Sequence, residues 1–235
     1  MSLENSLERI RASLFDRYRD NLAAILIFGS ANTGNFIEGK SDIDTILLLK
    51  KRDKLNLEKE TEFLLKTLKS ENFATQYFNT VNGLKKYIRK RTSFSTYITI
   101  IAKDGSRVLY STPEFERTKT WLVKHPPTKE AIKKYLREKD EFELNGYFKD
   151  ISGFELTKGL MAHFRRKLQI INYFMGGELV FDYNRCLKNS NLLEEKKDKL
   201  IKLYQAYESR EKLQEKDVRD YENLAFWLTK RILKQ

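Results

Sequence analysis

The chain has one cysteine, Cys186, so no second thiol is present for an internal disulfide, and a reducing compartment suits it. The only other soft ligands are two histidines, His125 and His163, too few for a zinc site built from His and Cys. No apolar run reaches the roughly 18 residues that a membrane-spanning helix needs, and charged residues, at 33%, are too frequent for a membrane protein. The opening MSLENSLERIRASLF carries charge throughout, an amphipathic helical pattern rather than the unbroken apolar stretch of a signal peptide. A cytoplasmic protein without a membrane partner is therefore expected. Prolines number only three, and two of them stand together at Pro126-Pro127, where a helix cannot continue and a connection stiffens.

Against these absences stand 235 residues, 40% of them hydrophobic, enough for one large domain or two small ones with real cores. The formal net charge of +12 suits polyanionic partners such as nucleotides or RNA. The excess is even, however: residues 1–120 carry 21 Lys+Arg against 15 Asp+Glu, and the remainder 24 against 18. That spread points to solubility as much as to a nucleic-acid surface.

The hydrophobic patterning changes character at the proline pair. Before it, Leu3, Leu7, Ile10, Leu14 and Tyr18 recur at steps of three and four, predicting a helix with Ser2 as its N-cap. Apolar runs at Ala24–Phe28 and Ile46–Leu49 read as strands. A helix over Leu57–Ser70, with Phe63, Leu64, Leu65 and Leu68 inward, and a strand over Phe73–Val81 ended by Asn82-Gly83 follow. Next come a helix near Leu84–Arg91, a segment Phe94–Ile101 readable as strand or helix, and a short strand around Arg107–Tyr110. This succession predicts an α+β fold, a small mixed sheet with helices packed on it, over residues 1–124. Residues 125–235 read almost wholly as helix, a bundle of four or five, with stripes at Leu156, Leu160, Phe164, Leu168 and Ile171 and at Tyr221, Leu224, Leu228 and Ile232. Met175-Gly176-Gly177 breaks the bundle after its long central helix.

The most informative stretch is AILIFGSANTGNFIEGKSDIDTILLL, residues 24–49. An apolar strand stops at Gly29-Ser30, a polar turn follows, and Asp42 and Asp44 precede the next apolar run. Residues two apart on a strand share a face, so the two carboxylates look the same way. Paired carboxylates repel unless a cation lies between them, and a hard ion such as Mg2+ prefers such oxygens while keeping positions for phosphates.

The pattern Phe28-Gly29-Ser30, eleven intervening residues, then Asp42-Ile43-Asp44 resembles the signature of the nucleotidyltransferase superfamily related to DNA polymerase β. The helical second half is similar to the bundle that follows this domain in the minimal and kanamycin nucleotidyltransferase-like branches. The resemblance implies an enzyme that moves a nucleoside monophosphate from a nucleoside triphosphate to a hydroxyl acceptor. The nucleotide is then expected in the cleft between the two domains. Asp42 and Asp44 would be catalytic and hold one or two Mg2+ ions. Gly29, Ser30, Ser41 and Lys40 would contact the nucleotide, with Thr33 and Gly34 in the connecting turn.

One position departs from that pattern. Active relatives carry a third carboxylate on the next strand, whereas Phe73–Asn79 holds no acid; Gln76 takes the place, or Thr75 or Asn79 if the register slips. An amide oxygen can touch a cation, but it is no general base at neutral pH. A base would then come from elsewhere, with Asp104 or the cluster Asp140, Glu141 and Glu143 as candidates, or the enzyme would act with a weaker metal site. Alternatively the chain binds nucleotide without transferring it, as a binding or antitoxin-like protein-interaction module.

Among the remaining charges, Lys85, Lys86, Arg89, Lys90 and Arg91 form the densest basic cluster, read as a solvated helix face or a phosphate grip. Lys50, Lys51, Arg52 and Lys54 finish a strand. Arg165, Arg166 and Lys167 flank a buried stripe, so at least one must point away from the core. No arginine stands five to seven positions before His163 or His125, which excludes the Arg-x4–6-His nuclease arrangement found in helical toxins; His163 reads as a core residue. Acceptor chemistry stays open among a small hydroxylated molecule, a partner protein and RNA.

Overall fold

The structure, a computed structural model, describes residues 2–34, 36–38, 41–52, 56–68, 71–89, 93–176 and 179–234; residues 57, 58, 61, 65, 67, 93 and 94 are described by backbone alone. Lys40, Lys54, Lys90, Arg91 and Gly177 therefore lie outside the described residues. The chain divides into two compact units, Met1–Pro127 and Thr128–Gln235.

Helix α1 (Leu3–Tyr18) starts where Ser2 Oγ accepts a hydrogen bond from Asn5 N at 3.4 Å. Strand β1 (Leu22–Phe28) is buried along its whole length, which is why LAAILIF shows no alternation: a central strand covered on both faces reads as a continuous apolar run. It pairs antiparallel with β2 (Ile43–Leu49) on one side and with β4 (Arg107–Ser111) on the other. The β2 to β3 (Phe73–Thr80) pairing is parallel and so needs a crossover, which α3 (Leu57–Thr67) supplies. The resulting mixed sheet has the order β3-β2-β1-β4.

One face of the sheet joins Leu7, Ile10 and Leu14 of α1 and Leu64 of α3 to Ile25, Ile27, Ile43 and Leu47 in a single core. Glu60 of α3 is buried in this layer and fully partnered. It accepts from Arg17 Nη2 at 2.8 Å, Arg17 Nε at 3.2 Å and Tyr18 Oη at 2.9 Å, so the ion pair that closes α3 onto α1 leaves no unpaired charge. Burial, reinforced by the Glu60 carboxylate, pushes the Tyr18 phenol well above its ordinary value.

Asn82-Gly83 do not form a turn after β3; they lie in the first turn of α4 (Val81–Arg89). Thr80 Oγ1 accepts from Gly83 N at 2.9 Å, the bond an N-cap makes, and a Cβ at Gly83 would fall 2.0 Å from Asn79 Oδ1. Segment 94–101 is helical, as α5 (Ser93–Ile100) running into a π-helical turn at Ile101–Gly105. Helix α6 (Pro113–Lys124) is absent from the expected elements, although its start signals are present: proline in the first turn after Thr112, with Glu114 and Glu116. A four-residue helical turn, α2 (Ser30–Thr33), links β1 to the loop before β2.

The second unit consists of α7 (Lys129–Leu144), α8 (Gly153–Gly176), α9 (Tyr183–Asn189), α10 (Glu194–Glu208) and α11 (Glu215–Leu233) among the described residues. The two stripes read from the sequence are buried, with Leu160, Phe164 and Leu168 on α8 and Tyr221, Leu224 and Leu228 on α11. Cys186 on α9 donates to Val180 O at 3.0 Å, and burial pushes its thiol up to about 12.

A buried ionic network ties α7, α8 and α11. Of the three adjacent charges of which at least one had to point off the core, Arg165 is exposed while Lys167 is 2% exposed; the Lys167 Nζ pairs with Asp140 and donates to Ala225 O and Thr229 Oγ1, both at 2.8 Å. Thr229 Oγ1 donates in turn to Asp140 Oδ2 at 2.6 Å. Burial lowers the Lys167 ammonium to about 8 even with Asp140 beside it. Glu143 binds His163 Nδ1 at 2.6 Å and Arg166 Nη2 at 3.0 Å, and pairs with Lys139. His163 Nε2 lies 3.1 Å from Asp140 Oδ1 but is not aimed for a hydrogen bond, so that atom is unsatisfied. Burial alone would raise Glu143, yet its hydrogen bond to His163 and the charges of Arg166 and Lys139 outweigh it, and the carboxyl falls from 4.5 to about 2.

A carboxyl with a lowered folded value binds fewer protons folded than unfolded. Its stabilisation is intact above 4.5 and is lost as pH falls toward 2. Glu143→Gln should therefore flatten the acid limb of the stability profile in that window, by about 1–3 kcal/mol in urea melts taken at successive pH values.

Candidate active site

The site is built where β1 ends and β2 begins. β1 delivers Phe28 opposite Asp44 of β2, and the turn after it is set by Gly29. Gly29 sits at φ 68°, a conformation that L side chains rarely adopt. Space demands glycine as well, because a Cβ there would lie 2.7 Å from Asp44 Oδ2. Ser30, half-buried, opens α2; Thr33 Oγ1 donates to Ser30 O at 3.4 Å, and Asn32 Nδ2 to Gly105 O at 3.3 Å, which fastens this turn to the end of the π-helical segment. Gly34, at φ 77°, ends the turn.

Ser41 folds its loop back on itself. Its N–H donates to Ile37 O at 2.9 Å, and its Oγ accepts from Ile37 N at 3.0 Å. Asp42 is exposed in the position immediately before β2, and Ile43 N is anchored to Asn72 O at 2.8 Å. Asp44 is partly buried inside the strand, between Phe28 on β1 and Ala74 on β3.

Gln76 meets Asp44 because of an irregularity in β3. The register runs Thr45 to Thr75, then Ile46 to Tyr77, so Gln76 is an extra residue in the ladder. Such a bulge re-aims side chains, and the exposed Gln76 Nε2 donates to Asp44 Oδ1 at 2.9 Å. Thr75 pairs across from the buried Thr45, and Asn79 Oδ1 caps Thr80 N at 2.8 Å. Gly29, Asp44 and Gln76 are therefore in mutual reach through Asp44, while Asp42, Ser30 and Ser41 occupy the same end of the strands. The bulge itself carries no sequence signal beyond a polar residue in an aromatic strand.

Three of the four alternative proton acceptors, Asp104, Asp140 and Glu143, are paired with cationic or histidine side chains. Asp104 Oδ2 is 2.6 Å from Lys103 Nζ. Asp140 and Glu143 are buried in the ionic network of the helical unit, and Glu141 is exposed on α7. In the basic cluster, Lys86 and Arg89 are exposed on α4, and the Arg89 guanidinium lies 5.6 Å from the centroid of the Trp121 ring.

Carboxylate oxygens on Asp42 and Asp44 suit one Mg2+ shared with substrate phosphates, which is how this ion is usually held. Among the described residues, no group of three or more His, Cys, Asp or Glu side chains is arranged for a metal. Gly29→Ala should strain the turn by about 1–2 kcal/mol and displace the Asp44 carboxylate. Isothermal titration with ATP and Mg2+ should then show weakened nucleotide binding with the fold retained.

Residues 7–105 match the family described as "Nucleotidyltransferase domain". The match covers most of α1, the strands β1 to β3 and the turn that carries Gly29, Asp42 and Asp44, so this part of the chain is similar to a nucleotidyltransferase domain. Among solved structures, the spectinomycin adenyltransferase AAD(9) from Enterococcus faecialis, crystallised with ATP and spectinomycin, is similar at a TM-score of 0.63. The similarity covers 97% of this chain and 98% of that chain at 12% sequence identity, so it is a likeness of fold, and it extends through the helical half. No curated protein matches the sequence.

Proposed function

We propose that the chain transfers a nucleoside monophosphate from a nucleoside triphosphate to the hydroxyl of a small molecule, with Mg2+ held by Asp42 and Asp44. The observation that supports it best is the arrangement around Asp44: its carboxylate is fixed by Gln76 on one side and abuts a glycine turn on the other. Gly29 lets a phosphate approach the backbone closely, and Ser30, Ser41 and Lys40 are the candidate contacts to the triphosphate. Residues 1–124 would carry the nucleotide chemistry, and the bundle of 125–235 would recognise the acceptor.

The acceptor oxygen forms a bond to the α-phosphorus, the bond from that phosphorus to the bridging oxygen breaks, and pyrophosphate leaves. A bound Mg2+ would neutralise charge that builds on the phosphate oxygens. Gln76 cannot accept the hydroxyl proton, so it passes to solvent. A small acceptor is favoured over RNA or protein because the likeness to a small-molecule adenyltransferase spans both halves of the chain. A cytoplasmic location is part of this reading, supported by the single cysteine of the sequence.

Incubation with each α-labelled nucleoside triphosphate, Mg2+ and panels of aminocyclitols, aminoglycosides, RNAs and proteins tests this. Label should appear on a hydroxylated small molecule. Transfer only to RNA or protein, or to nothing under any divalent metal, overturns the reading. The amide at Gln76 gives one observation in favour of a second reading, nucleotide binding without transfer; calorimetry showing saturable ATP binding in a protein inert in that assay would select it.

A further inference from the structure

The place beside Asp44 is filled by a hydrogen-bond donor, and this bears on how many cations the site can hold. Gln76 presents its Nε2–H to Asp44 Oδ1 at 2.9 Å, the positive end of an amide dipole against the carboxylate. Gly29 abuts the other oxygen, with a hypothetical Cβ 2.7 Å from Oδ2, so the carboxylate is held between a donor and a close backbone turn. Two carboxylates balance the charge of one divalent ion. The triphosphate brings anionic oxygens of its own, so what a second ion lacks here is a further protein ligand: Gln76 turns its N–H rather than an oxygen to Asp44 and adds no charge on that side. Among the described residues no third acid joins Asp42 and Asp44.

We infer that this is a one-cation site in which Gln76 is a positioning residue: it orients the Asp44 carboxylate toward a single divalent ion that arrives with the triphosphate, and by its neutrality excludes a second. The inference rests on the proposed nucleotide and metal binding at Asp42 and Asp44. Bulge geometry gives Gln76 its aim, since the extra residue in β3 turns the side chain onto the face that Asp44 occupies. Replacing an oxygen-donating acid by an amide thus changes the stoichiometry of the site as well as its affinity.

The test counts Mn2+ by loss of the free-ion electron paramagnetic resonance signal, with α,β-methylene-ATP limiting and protein in excess. Wild-type protein should hold one Mn2+ per bound nucleotide, and Gln76→Glu, which is isosteric and exposed, should hold two with the spin–spin broadening of neighbouring ions. Gln76→Ala should keep one ion but weaken it about tenfold, as loss of an orienting partner does. Circular dichroism checks that each variant is folded. Two ions on wild-type protein, or one on Gln76→Glu, overturns the inference and leaves nucleotide transfer standing. A protein that takes up neither Mn2+ nor the analogue overturns both.

Discussion

Asp44→Asn is expected to reduce nucleotide transfer by about a hundredfold or more, the order seen when a group stabilising transition-state charge is removed, while leaving the melting temperature nearly unchanged. The two effects separate because of what each atom does. Asn is isosteric with Asp and still offers an oxygen to Gln76 Nε2, so the contact at 2.9 Å that ties β2 to the bulge in β3 survives. Only the charge is lost, and with it a hard ligand for a divalent ion. The measurement is transfer of α-labelled phosphate at saturating acceptor, paired with a thermal melt. A variant with unaltered transfer would show that Asp44 has no part in the chemistry, whatever the class of the domain. A variant that also unfolds would show instead that Asp44 is a structural acid.

The second large effect lies in the helical unit and concerns stability alone. Lys167→Met keeps the length and apolar stem of the side chain but leaves Asp140, 1% exposed, without its ammonium partner. Removing one member of a buried pair costs about 3–5 kcal/mol, because the remaining charge is stranded. Thr229 Oγ1 still donates to Asp140 at 2.6 Å, which softens the loss without cancelling it. The midpoint of urea unfolding should therefore drop sharply. Adding Asp140→Leu to Lys167→Met should recover most of it, since an apolar pair of similar volume can replace a buried ion pair at little net cost. Failure of the double variant to recover would mean that the remaining members of the network, His163 and Glu143 among them, depend on Asp140 for their geometry.

The sequence made the strands of the first unit legible where burial is two-sided or periodicity is strong. The apolar runs Ala24–Phe28 and Ile46–Leu49 read as strands and lie in β1 and β2, and the three-four spacing in α1 and α8 placed their buried faces correctly. Punctuation residues misled where local bonding overrode them. Asn82-Gly83 is a common turn pair, yet Thr80 recruits Gly83 into a helix start, and the ambiguous segment 94–101 became helix through packing that its β-branched composition opposed. Gly29, Asp42 and Asp44 stood out in the sequence because a glycine turn and two closely spaced acids interrupt two apolar runs. The bulge that aims Gln76 was not, since a one-residue slip in a parallel pairing depends on both strands and leaves no trace in either alone. Lys167 was invisible for a related reason: its partners, Asp140, Ala225 and Thr229, come from two other helices far away in sequence.

Burial of Cys186 has a practical consequence. Its thiol is protonated at any ordinary working pH and sits inside the helical unit, so alkylating probes should pass it by. A cysteine introduced at Ser41, in the loop that leads to Asp42, would then be the single labelled position in the molecule. A fluorophore there would report directly, without any background from the native thiol, on whether and how fast that loop responds when nucleotide and metal arrive.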